Sequence, residues 1–490
     1  MLYVNFHLIM LPECKISFKT AKRWESPLTK QSPKKVVSSL LLTLVIVLLL
    51  SACSSKSGTN NAASPSTTGE LPASSGNTEK VEINWVMAAD PDKKAWQDSV
   101  IASFEASHPN IKVHLENIPY DQFDQKLTTM ISSGNAPDVW NPNQADSGFA
   151  TYMSMGAIKD LTPYIEKGVP ELETMDKDLL NIYRIDGKYY GIPLVSNATY
   201  LFYNKDLFDA ANIPYPTTDW DDKTWTYDKM LEIAQKLTHD VGDIRKQVFG
   251  FSSNLTANAM AWSFGGDFFK PEAYTTGVMG EPDLSNPKNV EALQYNLDLI
   301  EKYKVSPDQQ TVAASAQLGD VFMTGKVGMF INGGWGLGAY EKADFKWGVA
   351  AVPYKDGRKV TLYVDPWSIS ASSKHPDEAW EFVRHLANPA EGGGAYKYMN
   401  EVGRTPADSS LFELWYEKIS KQINMDKNDF KQVHEGSIKY GREAENHLIV
   451  KFNTILETMN QTMSSVWNGR KTLDTGLKEM DQNLRSLNLK

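Results

Sequence analysis

The sequence predicts an α/β chain of two domains, the first built on a doubly wound parallel sheet. Between Val81 and Trp140, period-two alternation of apolar residues twice gives way to helical spacing, so strand, helix, strand, helix and strand succeed one another within about 60 residues. The alternation of strand and helix returns after Asp186, and the chain from Val81 onward, about 410 residues, can bury two hydrophobic cores. No repeat of fixed period runs through it.

Val81, Ile83, Trp85 and Met87 alternate as the first strand. Asp90 caps the helix that follows, with Pro91 at its first position and Trp96, Val100, Ile101 and Phe104 on one face. His108-Pro109-Asn110 ends that helix, and Ile111, Val113 and Leu115 open the second strand. Phe123, Leu127, Met130 and Ile131 mark a second helix that stops at Gly134, before the third strand at Val139-Trp140. Ligands of doubly wound sheets bind outside the carboxyl ends of the strands, which draws attention to loops 88–91 and 141–147. Further on, Asp186-Gly187-Lys188 turns between short strands, a helix is predicted over 227–237, a strand over 249–252 and a helix over 288–303. Two helices over 449–466 and 472–487, joined at Asn468-Gly469, close the chain.

Ahead of the folded part, Lys34-Lys35, an apolar run over 36–50 and Leu50-Ser51-Ala52-Cys53 read as a secretory signal ending at a lipoprotein cleavage site. Cys53 is then the first mature residue and its thiol carries lipid. The apolar run falls short of the ~20 residues of a spanning helix, although an uncleaved anchor is the alternative. Either way the folded part works outside the cytoplasm, held to a membrane. The residues before Lys34, with Cys14, exceed an ordinary signal and point to a start assigned too early, so 1–53 is set aside as leader. Residues 54–80 are mostly Ser, Thr, Gly, Asn, Ala and Pro, a tether spanning roughly 30 Å.

The leader holds seven of the 50 Lys/Arg and two of the 60 Asp/Glu, leaving the mature chain with a net charge of −15. So acidic a body excludes nucleic acid as a partner, and an anionic bilayer as a docking surface for the folded part. Lipidation of Cys53 leaves no thiol for a disulfide, a metal or nucleophilic catalysis.

Five segments carry a family resemblance. Tyr190-Gly191-Ile192-Pro193 with Tyr203-Asn204-Lys205-Asp206-Leu207-Phe208 resembles the crossover of family 1 extracellular solute-binding proteins, the receptors of sugar-importing ABC transporters, which include maltose-binding protein. The run from Phe322 to Trp335 resembles that family's F-x-x-G-K-x-A-M-x-x-x-G-x-W element, with Gly328 where Ala is usual. The segment 369–386, Gly403-Arg404-Thr405-Pro406 and Asn468-Gly469-Arg470 resemble three further family elements, in the right order. The resemblance implies a periplasmic-binding-protein-like fold of two lobes, one of 81–195 with 361–401 and the other of 196–360 with 402–490. Hinges near 193–199 and 352–362 would close the lobes on ligand and present the closed form to a permease. It implies a monomeric receptor without cofactor, metal or catalysis.

Carbohydrates offer hydroxyl rims and apolar C–H faces, so their sites combine aromatic planes with hydrogen-bonding side chains. Trp335 matches the family's stacking tryptophan, following Gly333 and Gly334, which are expected to let backbone approach the ligand. Trp367 with Asp365 lies beside a crossover, and Trp262 lies in a loop that fits a site; core packing is open for all three. Asp90, Asn141 and Asn143 follow sheet strands, although helix capping explains Asp90 equally well. Asn197 and Tyr200 face the cleft on the family pattern. Arg404 stands before Pro406 rather than after it as in the family, which loosens its transfer. Trp85, Trp96 and Trp380 fall on apolar faces and are expected in the core.

Enzyme signatures are missing. His434-Glu435 lacks the second histidine of a zincin helix, Gly325-Lys326 lacks the upstream glycine of a phosphate loop, and no Gly-x-Ser-x-Gly elbow occurs. Two readings remain beside the transport receptor: a glycan-binding surface lipoprotein without a transporter, and a glycoside hydrolase whose two carboxylates are distant in sequence.

Overall fold

Parallel pairing at the start of the chain sets the first sheet. Strand Val81–Ala88 lies between Ile111–Ile118 and Val139–Trp140, parallel to both, as the doubly wound pattern predicts. The computed structural model describes residues 80–239, 242–243 and 246–489. The leader, Cys53 and the tether up to 79 lie outside the described residues. Asp90 accepts from the Asp92 amide at 3.1 Å and starts a 3-10 turn, Pro91–Lys93, that leads into helix Lys94–Ser107.

The long strand Val360–Ile369 joins this sheet with its far end antiparallel to Val139–Trp140. Its middle pairs antiparallel with Ile192–Asn197, and its start pairs parallel with Gly441–Glu443. Trp85 is the centre of the core beneath: its ring meets Trp96 and Trp367 at 5.6 Å and Phe382 at 5.2 Å, all edge-on. Trp96 and Trp380 are buried with it.

A second sheet runs in the order Trp347–Ala350, Thr199–Asn204, Val327–Gly333, Phe249–Ser253. Helix Tyr227–Leu237 covers it, capped by Thr226, whose hydroxyl accepts from the Lys229 amide at 3.2 Å. The apolar residues Tyr227, Met230, Ile233, Ala234 and Leu237 are its buried face, as their spacing predicts. The strand Val327–Gly333 follows a 3-10 turn, Phe322–Thr324, closed by Gly325 at φ 70°. Ala is usual in the family at Gly328, but here a Cβ would meet Leu237 Cδ1 at 2.8 Å and the Gly250 carbonyl at 3.0 Å.

Three segments connect the sheets. Ile192–Asn197 leaves the first and Thr199–Asn204 enters the second one residue later; Trp347–Ala350 returns the chain to Val360–Ile369. The third is Gly441–Glu443, which pairs with the first sheet immediately before helix Glu445–Leu448 and the long helices Phe452–Trp467 and Leu473–Ser486. The chain therefore forms two α/β lobes with the connections gathered on one line.

Candidate functional site

Where the connections run, side chains from both sheets converge on Tyr363. Tyr363 lies opposite Asn197 in the strand pair, half-buried, and its ring meets Trp335 edge-on at 5.1 Å. Trp335 follows the end of Val327–Gly333, in the second sheet, and is also half-buried. This aromatic pair spans the two sheets. Burial holds the Tyr363 phenol well above its ordinary range, and the carboxylates of Glu445, Glu443 and Asp146 add to the effect. Asp146 comes from the loop after Val139–Trp140, where it accepts from the Tyr120 hydroxyl at 3.3 Å.

Charged groups surround the pair. Asp90 forms ion pairs with Lys93 at 3.5 Å and Arg404 at 3.8 Å. Asp365, two residues beyond Tyr363, is half-buried and makes no side-chain hydrogen bond among the described residues. Burial raises its pKa above the ordinary aspartate value, against the pull of His447, Lys93 and Arg404. Glu443 is buried and accepts from His447, the Tyr183 hydroxyl and the Val364 amide, while its Oε2 is unpartnered. Asn197, 5 % exposed, likewise leaves Oδ1 without a partner. Lys342, which follows the second-sheet strand Val327–Gly333, reaches Asp92 in the turn after the first strand at 2.8 Å.

Other expected site residues are committed to the scaffold. Trp367 is 1 % exposed and packs on Trp85, because the strand is irregular between Asp365 and Pro366 and breaks the simple alternation that would place Asp365 and Trp367 alike. Tyr200 is fully buried, its hydroxyl 2.7 Å from His434 Nδ1. Asn143 donates to the Tyr183 hydroxyl at 2.8 Å and the Val364 carbonyl at 2.9 Å and accepts from the Phe149 amide, so it clamps the loop. Asn141 is buried too, and its Oδ1 accepts from the Asn143 amide at 2.8 Å. Trp262 is buried beneath Arg442, whose guanidinium lies 4.9 Å from its ring and 3.5 Å from Tyr274. Gly333 has a different use from the expected one: a Cβ there would collide with the indole of Trp335, which folds back over the backbone.

The cleft thus brings together Trp335, Asp365, Asp90, Arg404 and Asn197 of the expected set. Tyr363, Tyr120, Asp146 and Lys93 join them, and no spacing or motif marks these beyond their residue types. Among the described residues no group of three or more His, Cys, Asp or Glu side chains is arranged to hold a metal, and no helix is long and apolar enough to cross a membrane.

Two α/β lobes joined by crossover strands, with aromatic and polar side chains facing the space between, define a ligand-binding protein of the two-lobed receptor class. The chain belongs to the bacterial extracellular solute-binding protein family, whose model matches residues 89–393. It is 26 % identical over 412 residues to the maltodextrin-binding protein MdxE of Bacillus subtilis, covering 83 % of this chain and 87 % of that one. It is 26 % identical over 360 residues to a galactooligosaccharide-binding protein of the same organism, covering 71 % and 78 %. Among solved structures, the ABC substrate-binding protein Lmo0181 of Listeria monocytogenes in complex with cycloalternan superposes with a TM-score of 0.69 at 26 % identity, over 84 % of this chain and all of that one. These relatives are binding proteins.

Proposed function

We propose that this protein captures a carbohydrate, a di- or oligosaccharide, by closing its lobes and delivers it to the permease of an ABC importer. The observation that carries the reading is the half-buried Trp335–Tyr363 pair at the crossovers, a surface on which the apolar face of a sugar ring can rest. Relatives that bind maltodextrin, galactooligosaccharide and cycloalternan favour oligosaccharides. The lobes, as 81–195 with 361–401 and 196–360 with 402–490, hinge near 193–199 and 352–362, and the third connection at Gly441–Glu443 moves with them. The receptor is a monomer, performs no chemistry of its own, and is held outside the cell by lipid on Cys53.

Calorimetric titration and thermal unfolding against a panel of mono- and oligosaccharides test this. A ligand at a hundred times its dissociation constant stabilises the fold by about 2.7 kcal/mol. Stabilisation by a few related glycans, without product, is expected; stabilisation only by peptides or polyols sinks the carbohydrate reading.

A further inference from the structure

Tyr363 meets a second ring besides that of Trp335. His447, 1 % exposed in helix Glu445–Leu448, has its ring centroid 6.0 Å from that of Tyr363, with the planes at 73°. Both the side chain and the backbone of His447 are held. Its Nδ1 is hydrogen-bonded to Glu443 Oε1, and the same oxygen accepts from the Tyr183 hydroxyl and the Val364 amide, both at 3.3 Å. Helix Gly148–Ser154 presses on its backbone: a Cβ on Gly148 would strike the Asn446 carbonyl and come within 3.0 Å of His447 Cα. Val364 follows Tyr363 in the strand, so Tyr363, Val364, Glu443 and His447 close a circuit of contacts.

Resting on the carbohydrate reading, we propose that His447, fixed by Glu443, is a positioning residue that acts on the ligand through Tyr363: it keeps the Tyr363 ring against Trp335, so that the two rings form one preset surface. An aromatic side chain on a strand has more than one staggered χ1 open to it, and its neighbours select among them. Trp335 is itself half-buried, whereas His447 is enclosed and bonded, so His447 is the firmer of the two neighbours. A binding constellation keeps its geometry when packing and supporting hydrogen bonds lock the side chains behind it. A surface already set in place loses less freedom when ligand arrives. Glu443 is the last residue of the third connection between the sheets, which places this lock where the lobes join.

The test uses fluorine NMR of the purified protein labelled with fluorotyrosine, the Tyr363 line being the one that disappears in Tyr363→Phe. His447→Asn removes the ring and keeps a side-chain amide able to bond Glu443; Glu443→Met keeps the histidine ring and removes the group that holds it. Without ligand, each is expected to broaden the Tyr363 line by exchange between ring positions. A line that moves but stays sharp, which loss of a neighbouring ring gives by itself, overturns the proposal. Calorimetric titration with maltodextrins and galactooligosaccharides gives the second readout. His447→Asn should weaken affinity about tenfold in the chain with Tyr363, and change it by less than about twofold in the Tyr363→Leu chain. Equal losses in the two chains overturn action through Tyr363 while leaving the carbohydrate reading in place. Silence toward every glycan overturns the carbohydrate reading, and the line width then decides the positioning role alone.

Discussion

Trp335 and Trp367 show how one residue type takes two roles within a short stretch of chain. Trp335 is half-buried with an edge against Tyr363, so Trp335→Ala removes a plane from the cleft and little from the core. Affinity for the cognate sugar should weaken by about 1–3 kcal/mol in titration, with an unchanged unfolding midpoint. Trp367→Ala should do the reverse and cost about 3–5 kcal/mol of stability in denaturant unfolding, since its ring packs on Trp85 in a closed core. His434 supplies a pH dependence. It is 1 % exposed, packed against Trp415 at 4.8 Å and bonded to Tyr200, and burial pushes its pKa down to about 3. The unfolded chain therefore takes up this proton first: the stability is full above the ordinary value near 6.5 and is lost as pH falls from there toward 3, by up to about 1.4 kcal/mol per pH unit. His434→Asn keeps an acceptor near the Tyr200 hydroxyl without the titration. The stability gap between the two proteins, read from urea midpoints at pH 8, 6, 5 and 4, should close as pH falls; parallel declines would place the acid sensitivity elsewhere.

Elements whose pattern is local were legible in the sequence. Helix Tyr227–Leu237 has its cap at Thr226 and a buried stripe at helical spacing, and the first three strands alternate against two amphipathic helices. The cleft was only half legible, for two physical reasons. Pairings such as Tyr363 with Asn197 or Glu443 with Val364 join residues 166 and 79 positions apart, which no periodicity encodes. The irregularity between Asp365 and Pro366 also puts side chains of one apparent face into different environments, Asp365 in the cleft and Trp367 in the core. The element containing Gly328 carries a prediction of its own. The family's usual alanine, restored as Gly328→Ala, would press a methyl on Leu237 and the Gly250 carbonyl, the second of which is backbone and yields little. A loss of about 1–3 kcal/mol in denaturant unfolding is expected, with affinity retained. A neutral result would mean that helix Tyr227–Leu237 shifts outward at no cost.

For the whole molecule, the proposed function makes attachment and recognition separate properties of separate segments. On the proposed function, recognition is built in the cleft of the folded part, whereas attachment would rest on Cys53, ahead of it in the chain. On that proposal a mature chain of net charge −15 gains nothing from an anionic membrane surface and would be held there by its lipid alone. Cys53→Ser removes the thiol that would carry the lipid and leaves the cleft residues unchanged. The variant should leave the membrane fraction for the soluble one on cell fractionation, and its affinity for the cognate sugar should equal that of the lipidated protein. Continued membrane association would mean that the apolar run over 36–50 is retained as an uncleaved anchor, while release with lost affinity would mean that the cleft depends on the chain being held at the membrane.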